Sequence, residues 1–158
     1  MVVKVQAEDF DVGEELAALT EGNWAIGGMS SFVGLVRDLG GANALKAMTL
    51  EHYPGMTEKM LRAIEAEANE RWPLEASLIV HRYGRLEPGD RIVLVATASA
   101  HRQAAFDSCA FLIDWLKTKA PFWKLEETDN LGERWVEAKQ SDDQAADRWN
   151  RHDREAAE

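Results

Sequence analysis

The sequence predicts an α+β domain with mostly antiparallel strands and two main helices. Three observations carry this. Apolar or alternating runs of strand length recur along the chain, separated by glycine- and proline-containing turns. Two stretches, 56–72 and 103–117, keep apolar residues at helical spacing over several turns. Two strands, 76–83 and 91–100, are joined by the turn Glu87-Pro88-Gly89-Asp90, which pairs them.

Taken in order, Val3, Val5 and Ala7 alternate with polar residues and predict a short strand. Asp11 and Glu14 have capping-box spacing and open a helix to about Leu19. Residues 24–36 are apolar, contain Gly27, Gly28 and Gly34, and read as a buried strand with close backbone approaches. A loop spans 37–43 and a strand 44–53, which Pro54-Gly55 ends. The helix 56–72 places Met60, Leu61, Ile64, Ala68 and Trp72 on one face, and Pro73 stops it. The helix 103–117 places Phe106, Cys109, Ala110, Ile113 and Leu116 on its core face, and Ala120-Pro121 stops it. Residues 122–126 and 134–138 form a last hairpin around 129–132. The division is one domain, 1–140, and a polar C-terminal tail, 141–158.

Composition narrows the function classes. At 158 residues and 46% hydrophobic, the chain can bury a core without staples. Its net charge of −10 argues against a nucleic-acid partner, which needs a basic face. One cysteine, Cys109, allows no internal disulfide and suits a reducing compartment. The first residues turn acidic before any apolar region develops, so no signal peptide is read, and no run suits a membrane span. A cytoplasmic location is expected. The four histidines lack metal-ligand spacing, so no metal and no cofactor is expected. Cys109, on an apolar face, reads as core. So do Trp72, Trp115, Trp123 and Trp135, while Glu65 and Glu67 read as solvated.

Three features can carry chemistry. An apolar strand ends at Ser99-Ala100-His101-Arg102 and a helix begins there. Helix N-termini favour anions, so His101 and Arg102 suit a phosphate, although on these residues alone a solvated helix start is the plainer reading. Lys117 prolongs the helix's predicted buried face and Lys124 follows Pro121-Phe122-Trp123. A desolvated amine becomes a base or nucleophile; a snorkelling or helix-capping lysine is the plain alternative. Arg37 is delivered by Phe32-Val33-Gly34-Leu35-Val36 to a loop mouth, where its fork suits phosphate or carboxylate; an ordinary surface arginine is the plain alternative.

With those residues in view, the chain resembles the large subunit of molybdopterin synthase from about Phe10 to Trp149. The matching stretches are Phe32 to Arg37, Leu50 to Met56, Glu67 to Pro73, His81-Arg82-Tyr83-Gly84, Ser99 to Arg102, Lys117 to Lys124 and Arg134 to Glu137. The resemblance implies an α/β-hammerhead type fold with an additional antiparallel sheet. It implies a homodimer core within a heterotetramer, with a small ubiquitin-like sulfur-carrier subunit docked at each end. That partner's C-terminal Gly-Gly would carry a thiocarboxylate into a pocket of this chain. The substrate would be cyclic pyranopterin monophosphate, converted by two sulfur transfers to the dithiolene of molybdopterin. Lys117 and Lys124 match the family's catalytic lysines. Arg37, His101 and Arg102 match substrate-binding positions, and Leu35, Val36, Leu125 and Glu126 would line the same site. Leu125 stands where a second basic residue is frequent. Lys139 stands where an arginine is common, a position that reaches the neighbouring subunit's pocket. Lys117 would carry a proton or react covalently at the carbon being sulfurated; Lys124 would stabilise an oxyanion or share the proton work.

Overall fold

The computed structural model describes residues 1–38, 40–41, 44–130, 132–136, 144 and 146–149. Its elements are β1 (Val2–Gln6), α1 (Val12–Thr20), β2 (Gly28–Leu35), β3 (Leu45–His52), α2 (Met56–Arg71), β4 (Leu74–Arg82), β5 (Gly84–Leu86), β6 (Arg91–Ser99), α3 (Arg102–Thr118), β7 (Phe122–Thr128) and β8 (Gly132–Val136). The predicted α+β class holds.

The strands divide into two sheets, ordered β1-β4-β6-β2 and β5-β3-β7-β8. All pairings are antiparallel except β1 with β4. The continuous apolar runs of β4 and β6 follow from covering both faces of the first sheet. Ile79, Val93 and Val95 pack on Leu61, Ile64 and Ala68 of α2 and on Cys109, Phe111 and Leu112 of α3. Their alternates Leu78, Val80, Leu94 and Ala96 face Phe10 and, from α1, Leu16 and Leu19. Val36, Met48, Leu50 and Leu86 form a third cluster where the two sheets meet.

Helix starts follow local chemistry. The Asp11 carboxylate accepts from the Glu14 N–H at 2.9 Å and opens α1. The Glu58 carboxylate accepts from the Gly55 N–H at 2.6 Å and braces the start of α2.

Several expectations need correction. The strand expected over 24–36 begins only at Gly28, and it is a sheet edge rather than buried. Trp24 is 96% exposed in the preceding turn. The glycines do mark close approaches: a Cβ at Gly27 would lie 2.2 Å from the Ala100 carbonyl oxygen. Glu65 is buried and accepts from the Ser77 hydroxyl at 2.6 Å, because α2 lays that side against β4. Trp123 and Trp135, expected in the core, are 49% and 55% exposed on the outer face of the second sheet. The short β5 was not foreseen. It leaves β4 at Gly84, whose φ of +89° suits glycine, and joins the second sheet. Apart from these corrections, Trp149, in the expected polar C-terminal tail, packs edge-on against Trp72 and Phe111, with ring centroids 5.7 and 5.6 Å away. Its indole N–H donates to Asp114 at 2.8 Å. An indole surrounded by polar neighbours has apolar area to bury.

Candidate functional site

α3 separates two groups of expected site residues. Its start is held by main chain: the Ser99 hydroxyl donates to the Pro73 carbonyl at 2.7 Å, and the Gly27 N–H donates to the Ser99 carbonyl at 3.0 Å. This presents His101, the N-cap, and Arg102 to solvent. Lys117 lies in the last turn. Fifteen residues at about 1.5 Å each put it roughly 22 Å along the axis from Arg102. One copy of the chain therefore does not bring His101 and Arg102 into a hollow with Lys117.

Lys117 is exposed, which corrects the expectation of a buried lysine. The buried stripe of α3 runs through Ala105, Ser108, Cys109 and Leu112. Phe106, Ala110, Ile113 and Lys117 form a neighbouring stripe, spaced four, three and four residues apart. Phe106 is 54% exposed. The first three of these side chains line a groove of about 290 Å³ between α3 and the edge strand β2, closed on the other side by Ser30, Ser31 and Phe32. The stripe read as core is thus one wall of a groove, and Lys117 stands where that wall ends.

Lys124 lies on β7 opposite Leu50 of β3 and Val136 of β8. It is half-buried, and its Nζ is 3.4 Å from the Glu126 carboxylate on the same strand face. Leu50 belongs to the cluster that buries Val36. Val36 is pinned to the 87–90 turn in both directions: its N–H donates to the Asp90 carbonyl at 2.9 Å and its carbonyl accepts from Gly89 at 2.8 Å. Arg37 leaves this anchor exposed, and Leu35 is exposed beside it. Val36, Lys124 and Glu126 are thus gathered at the junction of the sheets. Leu125, on the opposite face of β7, pairs with Thr49 and Trp135 and points away from that junction. Lys139 lies outside the described residues.

His81, at the end of β4, was singled out only within a matching stretch. It is buried and lies flat on Phe122, the first residue of β7, at 3.7 Å and 13°. Its Nδ1 is 2.8 Å from the Arg82 carbonyl, so Nδ1 carries the hydrogen. Burial pushes the ring's pKa down from 6.5 to about 4; the carbonyl bond opposes this, and the charges of His52 and Lys117 add to it. The ring is neutral at pH 7. Between pH 6.5 and 4 the unfolded chain takes up a proton that the folded chain refuses. Stability is therefore complete above about 6.5 and falls as pH drops towards 4, by roughly 3 kcal/mol at about 1.4 kcal/mol per unit. Urea unfolding at pH 7.5 and 4.5 should show this loss, and His81→Phe should remove most of it. Equal slopes in the two proteins would contradict the burial of an uncharged ring. Asp9 acts lower: its bond from Arg91 holds its pKa near 2, so its contribution is present above 3.8 and lost as pH falls through about 2.

Among the described residues no group of three His, Cys, Asp or Glu could hold a metal ion, and no helix is long and apolar enough to cross a membrane.

Comparison with known proteins places this geometry. The family model described as MoaE protein matches residues 5–119. The molybdopterin synthase catalytic subunit of Pseudomonas aeruginosa is 57% identical over 149 residues, 94% of this chain and 99% of that one. The Burkholderia ambifaria structure described as molybdopterin biosynthesis MoaE protein superposes with a TM-score of 0.81 at 54% identity, over 94% of this chain and 97% of that one. The crystal structure of molybdopterin synthase from Staphylococcus aureus superposes with a TM-score of 0.78 at 30% identity, over 85% and 96% of the two chains.

Proposed function

The chain belongs to the MoaE family, and from that membership we propose that it is the catalytic, sulfur-transferring subunit of a molybdopterin synthase in molybdenum cofactor biosynthesis. The sulfur comes from a thiocarboxylate at the C-terminal Gly-Gly of a small ubiquitin-like partner. The acceptor is cyclic pyranopterin monophosphate. The sulfur bonds to a side-chain carbon of the pterin as a C–O bond at that carbon breaks, the oxygen leaving with the opened ring phosphate at one carbon and as water at the other, and a water then cleaves the acyl–sulfur bond. The tail leaves as a carboxylate and the sulfur stays on the pterin. Two rounds, each using one thiocarboxylate and one water, complete the dithiolene.

The observation that carries this reading is the groove between β2 and α3, whose helical wall of Phe106, Ala110 and Ile113 is followed one turn later by Lys117. β2 is a free sheet edge, which an extended peptide can join through main-chain hydrogen bonds. From Phe106 to Lys117 is roughly 16 Å, about five extended residues. A glycine-ended tail lying there would deliver its anionic end to Lys117. Lys117 then moves the proton at the carbon being sulfurated, and Lys124 stabilises the oxyanion formed when water attacks the acyl–sulfur carbon. Arg37 holds the phosphate on the same side.

His101 and Arg102 stand at the far end of α3, so their phosphate-binding role requires a second copy of the chain. A homodimer that sets the α3 start of one copy beside the Lys117 end of the other restores the full set of cations. Lys139 belongs to the same cross-subunit arrangement. Small subunits on both grooves make a heterotetramer, and the assembly works in the cytoplasm.

The groove assignment is tested by Phe32→Asp and Phe106→Asp. Both side chains are exposed in the single chain, so the fold should survive. Affinity for the small subunit, measured by calorimetry, should fall about 30- to 100-fold, the effect of losing an interface anchor. Unchanged affinity in both variants would move the docking site elsewhere.

A further inference from the structure

Six residues separate Lys117 from Lys124, yet the two sit on different elements, a helix end and a strand of the second sheet. The link between them is short. The Lys119 N–H closes α3 on the Trp115 carbonyl at 2.8 Å, and the Phe122 N–H donates to the Ala120 carbonyl at 2.8 Å. Phe122 then opens β7, opposite His52. Phe122 and Lys124 are two residues apart on a strand and share one face.

The His81 ring is the surface on which this link rests. It is the one face-to-face ring contact among the described residues, whereas the other ring pairs are tilted or edge-on. Its orientation is fixed on the other side by the Arg82 carbonyl. His52 flanks Phe122 at 6.0 Å and Tyr83 at 4.6 Å, which closes the cluster from β3 and from the segment before β5. We propose that His81 is a positioning residue: keyed to the Arg82 carbonyl and lying flat on Phe122, it sets the spacing between the helix end carrying Lys117 and the strand carrying Lys124. An uncharged ring also keeps a further cation away from Lys117, whose charge already reaches it. This proposal rests on the sulfur-transfer reading for its consequence in catalysis, but not for its geometric content.

The test uses the full chain with His81→Ala, which removes the flat ring, and His81→Phe, which keeps one. The first readout needs no turnover. Lysines are reductively methylated with 13C-formaldehyde, and the Lys117 and Lys124 signals are assigned through Lys→Arg variants. In His81→Ala these two signals should move, while those of Lys4 and Lys59, on β1 and α2, stay in place. The second readout is kinetic: kcat should fall about 10- to 100-fold in His81→Ala, with KM for the small subunit within about twofold, the signature of misplaced catalytic groups. His81→Phe should hold kcat within about threefold of the unmodified chain. Unmoved lysine signals in His81→Ala, or a KM rise that accounts for the loss, overturn the proposal. If His81→Ala does not fold, His81→Phe decides: retained kcat and unmoved signals support it, and a tenfold loss overturns it. If the unmodified chain transfers no sulfur, the enzymatic reading fails, and the lysine signals still decide the positioning role.

Discussion

Lys117→Ala should lower sulfur transfer by about a thousandfold while binding of the small subunit changes by less than about twofold. The groove proposed to hold the partner tail is lined by Phe32, Phe106, Ala110 and Ile113 among others, and Lys117 is not part of that lining. What is lost is the amine at the end of the groove. Proton transfer by a positioned side chain contributes about 10²- to 10⁴-fold, so the loss should appear in kcat rather than in affinity. Lys117→Arg separates two roles for the same cation. Arginine keeps the charge but does not release its proton near neutral pH. If Lys117 moves a proton, the arginine variant stays nearly as slow as the alanine variant. If Lys117 only balances charge, arginine restores most of the rate. Single-turnover formation of the dithiolene distinguishes the two outcomes, and full activity in Lys117→Ala would remove the residue from the mechanism.

The second large effect concerns two inactive proteins that recover when mixed. Arg102 and Lys117 lie at opposite ends of a 17-residue helix. A phosphorylated pterin cannot span that length, so one chain cannot use both on one substrate. In a two-fold dimer each active site would take Lys117 from one copy and Arg102 from the other. Arg102→Ala and Lys117→Ala should each be nearly inactive alone. After mixing and exchange, half of the dimers are mixed, and each holds one site with both residues intact. Activity should rise to about a quarter of the unsubstituted level. No recovery, in a mixture shown by mass spectrometry to have exchanged, would place both residues in the site of a single chain or remove Arg102 from it.

The sequence made the fold legible where periodicity was unambiguous. α2 and α3 and the central pair β4–β6 were foreseen because long apolar stripes and runs leave few alternatives. Reading failed where an apolar face serves something other than the core. Phe106, Ala110 and Ile113 have the same helical spacing whether they meet a sheet or border a groove. Nothing local distinguishes the two, and the buried stripe of α3 is rotated to Ala105, Ser108 and Leu112. The same ambiguity misplaced Trp123 and Trp135, which lie about half exposed on the outer face of the second sheet. β2 looked buried because it is apolar, yet it is an edge.

The candidate site was legible in kind rather than in arrangement. Lys117, Lys124, Arg37, His101 and Arg102 were marked by residue type beside apolar segments and by the family resemblance. Their division between two ends of α3 depends on the length and direction of that helix relative to β2, which a list of motifs does not contain. His81 carried little independent signal: a lone histidine at the end of an apolar strand reads as core. It is core, and its effect comes from what it is stacked on.

The proposed reaction transfers sulfur from a protein thiocarboxylate to a pterin, with Lys117 beyond the end of the β2–α3 groove as the proton carrier. It is tested most directly by mixing the purified chain with thiocarboxylated small subunit and cyclic pyranopterin monophosphate under single-turnover conditions, and following dithiolene formation. Product is expected from the unsubstituted chain, with two small subunits consumed per pterin, and almost none from Lys117→Ala. Product formation that is equal with and without Lys117, or no product from a chain that binds both partners, would contradict it.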